Sequence, residues 1–314
     1  MSSGKFQVMK AQTLMNYSRH LCDQSRSIEQ FGGSQQQDAQ EFMSFILTHL
    51  HDETNTRRDR KGKVEQPNTS QQSLLQAAAE YWYRHLEFNR SIVDRYWRGL
   101  ELSTVECLEC HTRTYRFSPF EWIPVTVGMG RGMTLEQVLD QHTAGNTLDD
   151  FSCDHCRRPT RALQSLSLAR LPPLLCVVFR RFHYQQATSD LRKSTAPITW
   201  DFNDTDFTRY FLPPADRVSS SGADPTDMAF AGPFRYEAYA VIVHTGSRID
   251  NGHYLAYVRD SSSHDPYAWY CCNDSRVTKV RIGSGDRDDV QEEVFKSGRD
   301  RVPYLVFFRR KGMR

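Results

Sequence analysis

No stretch of this chain approaches the run of about eighteen apolar residues that a membrane-spanning helix needs, so no span is expected. The opening residues, MSSGKFQVMKAQ, lack the apolar core of an export signal, which places the expected location inside the cell, in cytoplasm or nucleus. Charge of one sign is not in surplus either: 40 basic residues stand against 38 acidic ones. The basic residues are spread among acids rather than gathered with interleaved aromatics, which argues against a nucleic-acid face. Cysteine is sparse, 8 in 314 residues. In a chain without an export signal that usage points to metal rather than disulfides. Internal repeats and low-complexity tracts are absent as well.

What remains is the composition of a soluble globular protein, 39% apolar and 25% charged, long enough for one large core or two smaller ones. Half of the cysteines fall in two C-x-x-C pairs, Cys107 and Cys110 in CLEC, Cys153 and Cys156 in CDHC. Each two-residue spacer lets both sulfurs of a pair turn toward one point. Two such knuckles together make a tetrahedral S4 site, suited to one structural Zn2+. With all four positions taken by protein, no coordination place is left for hydrolytic chemistry. Buried free thiols or a redox pair are the weaker reading, because redox pairs come singly at a helix start. His111 and His155 flank the ligands and are expected to support them rather than bind.

Residues 13–52 read as helical, broken at Gly32–Gly33, with Ser34 as candidate cap for the helix that begins in QQQDAQEFMSFILTHLHD. Asp38 and Glu41 lie near that helix start, where negative charge is favoured. Residues 53–72 are polar and read as a mobile loop, and 73–98 as a second helical stretch. From Leu100 the period changes to short strands, interrupted by one helix over 134–143. The apolar run Leu174–Phe179 predicts a buried strand, residues 213–233 another loop, and the C-terminal part alternates strand and turn.

His253 sits in NGHYLAYVRD and Asn273 in AWYCCNDSRV. A histidine on an alternating apolar stretch, followed by an amide on a later strand edge, is two thirds of a cysteine-protease triad. His253 suits a general base and Asn273 can hold its tautomer. Asp274, expected to point the other way on an extended chain, could act at an oxyanion. Gly252 removes side-chain bulk where a substrate backbone could pass. The nucleophile is the difficulty. Cys22, Cys176, Cys271 and Cys272 each lack the exposed, thiolate-stabilising setting that a nucleophilic cysteine needs. His244 carries no pattern that raises it above a satisfied core histidine.

In this order, the stretches resemble the ubiquitin-specific protease family of papain-like deubiquitinases. GGSQQQDAQEFMSFILTHLHDE is similar to its glutamine–aspartate box. NRSIVDRYWRGLELSTVECLEC and FSCDHC resemble the two halves of its metal-bearing fingers, and LARLPPLLCVVFRRFHY the palm strand that follows. YEAYAVIVHTGSRIDNGHYLAYVRD and AWYCCNDSRVTKV are similar to its histidine box and third-residue box. The resemblance implies an α+β fold of thumb, palm and fingers: thumb remainder over 1–99, fingers with zinc and an inserted helix over 100–165, palm over 166–314. It implies His253 as base, Asn273 as its orienting residue, Asp274 at the oxyanion, and Asp38 and Glu41 against ubiquitin's basic face. The implied activity is thiol-dependent hydrolysis of isopeptide bonds at ubiquitin's C-terminal glycine, with ubiquitin or ubiquitinated proteins as partners and a monomeric chain.

One element of that family is not found. Its glycine–asparagine–threonine–cysteine segment, which opens the first thumb helix, has no counterpart before Gln35. The chain by itself is therefore expected to be inactive, with the first thumb helix missing and the apolar thumb surface, Phe42 and Phe45 included, left exposed. Poor solubility or instability of the chain alone is the corresponding expectation. The alternative reading is a non-catalytic ubiquitin-binding scaffold. A zinc-ribbon adaptor for nucleic acid is disfavoured by the scattered charge.

Overall fold

The computed structural model describes residues 12–24, 31, 36–185, 190–217, 227–247, 251–295 and 301–312. Its N-terminal part is helical: α1 (Gln12–Gln24), α2 (Ala39–Thr54), α3 (Leu74–Leu86) and the short α4 (Ile92–Tyr96). Asp38 caps α2, its carboxylate accepting from the amides of Gln40 and Glu41; Ser34, the expected cap, lies outside the described residues. Asp38 wins because its side chain is adjacent to the first orphan amides of the helix. Phe45 is only 6% exposed, covered by Phe31 and Phe42 with ring centroids 5.0 and 6.0 Å away, so the expected exposure of Phe45 is not found.

The helix expected over 73–98 is broken in two. Ser91 and Asp94 form a capping box that restarts it as α4. Asn55 fastens the break, donating to the Phe88 carbonyl (3.1 Å) and accepting from the Arg90 amide (2.8 Å). Asp94 is 1% exposed and gathers the surrounding elements. It accepts from His85 of α3 and from Arg98, and lies 3.3 Å from His51 of α2. The polar stretch before α3 has no regular structure but is not free. The Gln66 amide accepts from Phe117 N (2.8 Å) and donates to Phe117 O (2.9 Å).

The strands run β1 (Gly99–Cys107), β2 (Arg113–Phe120), β3 (Ile123–Thr126), β4 (Met133–Thr134), β5 (Asn146–Cys153), β6 (Arg158–Arg170), β7 (Leu174–Arg180), β8 (Phe182–Gln185), β9 (Asp190–Lys193), β10 (Ile198–Thr199), β11 (Thr205–Asp206), β12 (Arg235–Thr245), β13 (His253–Arg259), β14 (Ala268–Asn273), β15 (Arg276–Arg281) and β16 (Val302–Arg310). Between β4 and β5 lies α5 (Leu135–Thr143), started by a Thr134–Gln137 capping box, and before β16 lies α6 (Gln291–Phe295).

Two sheets carry the architecture. A four-stranded sheet, β2-β1-β6-β5, bears both cysteine pairs at one end. An eight-stranded sheet runs β15-β14-β13-β12-β16-β7-β3, with β11 paired to β12. β3 thus leaves the four-stranded sheet's segment and pairs in parallel with β7 of the larger sheet. β7 is the expected buried strand, Leu175 to Phe179 being at most 1% exposed. Apolar side chains at alternate positions of β12, β13 and β16 share the main core with those of α5, α6 and the aromatic group Trp200, Phe202 and Trp269. The other face of β7 and β16 holds Cys176, Val178, Tyr304 and Leu305 against Ala39 and Met43 of α2. That packing seats the start of α2 beside the ends of β12 and β13.

Candidate active site and metal centre

Antiparallel pairing of β13 with β12 and β14 fixes where the predicted residues meet. Thr245 is opposite His253 at the last rung of β12–β13, and Ala256 is opposite Cys272 in β13–β14. The register brings the His253 ring to the end of β14, where its Nε2 lies 2.7 Å from Asn273 Oδ1. An amide oxygen only accepts, so Nε2 is the donor in this contact, and in the neutral ring the lone pair lies on Nδ1. The His253 side chain is 43% exposed, so the ring is open to a ligand.

Asp274 does not point away. It occupies the tight turn between β14 and β15 with φ +51°, and its carboxylate lies 3.9 Å from His253 Nε2. The left-handed turn conformation, which aspartate tolerates better than most residues, breaks the strand alternation that placed it on the far side.

Gly252 is required by its neighbours. A Cβ there would come within 2.3 Å of His244 Nε2 and 2.4 Å of Thr245 O. Its amide donates to Gln36 Oε1 at 2.8 Å, which ties the approach to α2 directly to the residue before His253. Asp38 is spent internally: one oxygen caps α2 and the other accepts from Tyr304 OH at 2.6 Å. Burial, and then Asp38, push the Tyr304 hydroxyl above the usual tyrosine range. Glu41, one turn on, is exposed. His244 is a buried core histidine between Phe182 and Tyr254. Burial and the Lys193 charge push it down to about 4, so it is neutral beside the open ring.

The cysteines outside the two pairs have the settings of packing residues. Cys22 is buried in α1, and Cys176 is fully buried with its thiol pushed above the usual range by desolvation. Cys271 packs against the core, and burial raises the Cys272 thiol. None offers an exposed thiolate.

The two pairs converge. All four sulfurs lie within 4.8 Å of one another, with Cys107–Cys156 at 3.9 Å and Cys110–Cys153 at 3.6 Å. A tetrahedral site with bonds of about 2.3 Å has sulfurs about 3.8 Å apart. The knuckles are alike: His111 and Arg157, each following the second cysteine, take φ +57° and +55°, and their amides donate to Cys107 O and Cys153 O. Thr160 Oγ1 is 3.4 Å from Cys107 Sγ and Thr112 Oγ1 is 3.3 Å from Cys110 Sγ. Hydrogen bonds from Thr160 and the Cys110 amide draw Cys107 down to about 6, while the hydrogen bond shared with Cys110, and then burial, push Cys156 up to about 12. Four such sulfurs are poised to hold a single metal ion, which removes their mutual repulsion. His111 turns to Glu106 (3.1 Å) and is largely exposed.

Sequence reasoning missed Gln36, Tyr304 and Lys193. A lone lysine or tyrosine carries no periodic signal, and Gln36 stood in a glutamine run where only Asp38 drew attention.

The model of the family described as "Ubiquitin carboxyl-terminal hydrolase" matches residues 8–308. The chain is 28% identical over 291 residues to human ubiquitin carboxyl-terminal hydrolase 21, covering 85% of this chain and 46% of that one. It is 25% identical over 262 residues to ubiquitin carboxyl-terminal hydrolase 5 of Saccharomyces cerevisiae, covering 81% and 31%. The chain thus spans less than half the length of these relatives. Among solved structures it is similar to the SAGA Ubp8/Sgf11/Sus1/Sgf73 DUB module bound to ubiquitin aldehyde. There the TM-score is 0.62 at 22% identity, over 91% of this chain and 52% of that one, a likeness of fold.

Proposed function

This chain belongs to the ubiquitin carboxyl-terminal hydrolase family, and on that premise we propose that it is a thiol-dependent deubiquitinase domain acting at the isopeptide bond of ubiquitin's C-terminal glycine. The observation that carries the reading is the 2.7 Å contact between His253 Nε2 and Asn273 Oδ1. It supports a ring orientation in which Nδ1 would be the base. Nδ1 would take the proton of a thiol, whose sulfur attacks the glycine carbonyl; the same nitrogen then protonates the leaving lysine amine and activates water for deacylation. Asp274, 3.9 Å from the ring, would steady the imidazolium and orient a donor at the oxyanion. Glu41, exposed on the first turn of α2, would meet ubiquitin's basic residues, with Asp38 beside it holding the helix start.

The four cysteines Cys107, Cys110, Cys153 and Cys156 would hold one structural Zn2+, which braces the finger sheet and takes no part in the reaction. A supporting relation is that the SAGA module with this fold binds ubiquitin aldehyde.

The settings of Cys22, Cys176, Cys271 and Cys272 favour a second reading, in which these 314 residues bind ubiquitin without turnover. The test uses the full chain with isotope-labelled ubiquitin and with a ubiquitin–amide fluorophore reporter. Ubiquitin resonances should shift on its basic face and C-terminal tail, with no reporter cleavage by the chain alone. Absence of any shift removes both readings. Steady cleavage that His253→Ala abolishes would show that one of the cysteines serves as nucleophile and remove the non-catalytic one.

A further inference from the structure

The turn between β12 and β13 delivers His253, and the sheet holds it only from that residue onward. The last paired residues are Thr245 and His253, and beyond them the ladder stops. Two contacts from outside the sheet grip the turn where it leaves. On one side Lys193 Nζ donates to Gly246 O at 2.5 Å and reaches His244 O at 3.4 Å. On the other side Gly252 N donates to Gln36 Oε1 at 2.8 Å. The neck between the grips is narrow. Gly246 has φ +123°, and a Cβ on it would fall 2.9 Å from Gly252 Cα and 2.9 Å from Asn251 O. Glycine is needed on both sides of this neck because the backbones almost touch.

We propose that Lys193 and Gln36 are positioning residues that clasp the two sides of this neck and thereby hold the His253 ring in register with Asn273. The inference rests on the deubiquitinase reading only for the purpose that the register serves.

Lys193 is suited to the task because it is itself held. It is 8% exposed and ends β9. The same end of the hairpin is anchored on the opposite strand by Arg181, 1% exposed, which donates to Pro303 O (2.8 Å), Ser194 O (3.3 Å) and Ala196 O (2.7 Å). Ser194 returns a bond from its amide to Arg181 O at 2.6 Å and one from its hydroxyl to Gly128 O at 2.8 Å. A buried ammonium on two carbonyls makes charge-assisted hydrogen bonds, stronger than the ordinary amide pairs of a ladder. Gln36 contributes from a different body, the approach to α2, so the turn is fixed relative to that helix as well as to the sheet. His244, between the grips and neutral, adds no charge of its own beside the ammonium.

The experiment is histidine-labelled NMR on the full chain, with the His253 ring assigned by its loss in His253→Gln. The intact protein should show a single Nε2–H tautomer. Gln36→Leu removes an acceptor on an exposed residue and should give mixed tautomers, with exchange of the Gly252 amide accelerated about tenfold, the factor for one lost hydrogen bond. Gln36→Glu, which keeps an acceptor oxygen, should restore both. Lys193→Met keeps the apolar stem and should lose the tautomer, and Lys193→Arg should retain it. An unchanged tautomer and unchanged Gly252 exchange in Gln36→Leu overturn the proposal, whether or not Lys193→Met folds. The ubiquitin shifts described above are recorded on the same samples. Tautomer loss without ubiquitin binding defeats the functional reading and leaves the clasp standing; ubiquitin binding with the tautomer intact in both variants does the reverse.

Discussion

Replacing Asp94 by alanine removes a carboxylate shared by donors from three helices and the first strand's approach. Its oxygens lie 2.9 Å from His85 Nε2, 2.6 Å from Arg98 Nη1, 2.6 Å from the Ser91 hydroxyl and 2.9 Å from the Ser91 amide. His51 Nδ1 is 3.3 Å away. Arg98 keeps Glu121 at 2.6 Å and is not left bare. His85 and the Ser91 amide, both buried, lose their partner away from water. Breaking a buried charged network by removing one partner costs about 3–5 kcal/mol, and with Arg98 still paired the lower end applies. At an unfolding entropy of about 2.1 cal/mol/K per residue, ~3 kcal/mol lowers the melting temperature of this chain by about 5 °C. Burial opposes ionisation of Asp94, but the hydrogen bonds from His51 and His85 and the Arg98 charge outweigh it and hold the carboxyl far below the usual range. Since the folded pKa is depressed, the stabilisation is complete above the unfolded value of about 4 and fades as the pH falls below it. Calorimetry of wild type and Asp94→Ala should therefore show a constant gap from pH 8 to about 4.5 that narrows at lower pH. A gap under about 1 °C at pH 7, or one that widens on acidification, refutes the reasoning.

Metal analysis should find one zinc per chain, and Cys153→Ser should drop it below about half an equivalent with loss of thermal stability, since metal binding and folding are coupled. Asp38→Ala should cost about 1 kcal/mol in denaturant melts for the lost cap. Tyr304→Phe should cost a comparable amount, and the double variant less than the sum, because the two share one hydrogen bond. The His244 ring, held at about 4, stabilises fully above about 6.5 and loses that contribution between there and about 4. His244→Gln should flatten the pH dependence of melting across that window, and an unchanged slope would dismiss the assignment.

The parts of this molecule that were legible before any coordinates were those with a local signature. The run Leu174–Phe179 read as a buried strand, TLEQVLDQHT as one short helix, and two C-x-x-C spacings imposed a common centre on sulfurs far apart in sequence. The ordered stretches around His253 and Asn273 carried the rest by resemblance. Features decided by the tertiary arrangement were not legible. The break before α4 depends on Asn55, which is distant in sequence from Arg90. The burial of Phe45 depends on Phe31, and the facing of Asp274 on a left-handed turn. The return of β3 to the larger sheet follows from its parallel partner β7 rather than from anything in its four residues.

The Gln66 side chain supplies one more consequence. β2 is an outermost strand of the four-stranded sheet, and a peptide-like amide from Gln66 takes both backbone groups of Phe117 in the middle of that border. A border strand occupied in this way cannot template another chain there. Losing that amide would leave a sticky margin, and self-association of the domain would then be a property of residue 66 rather than of its apolar content.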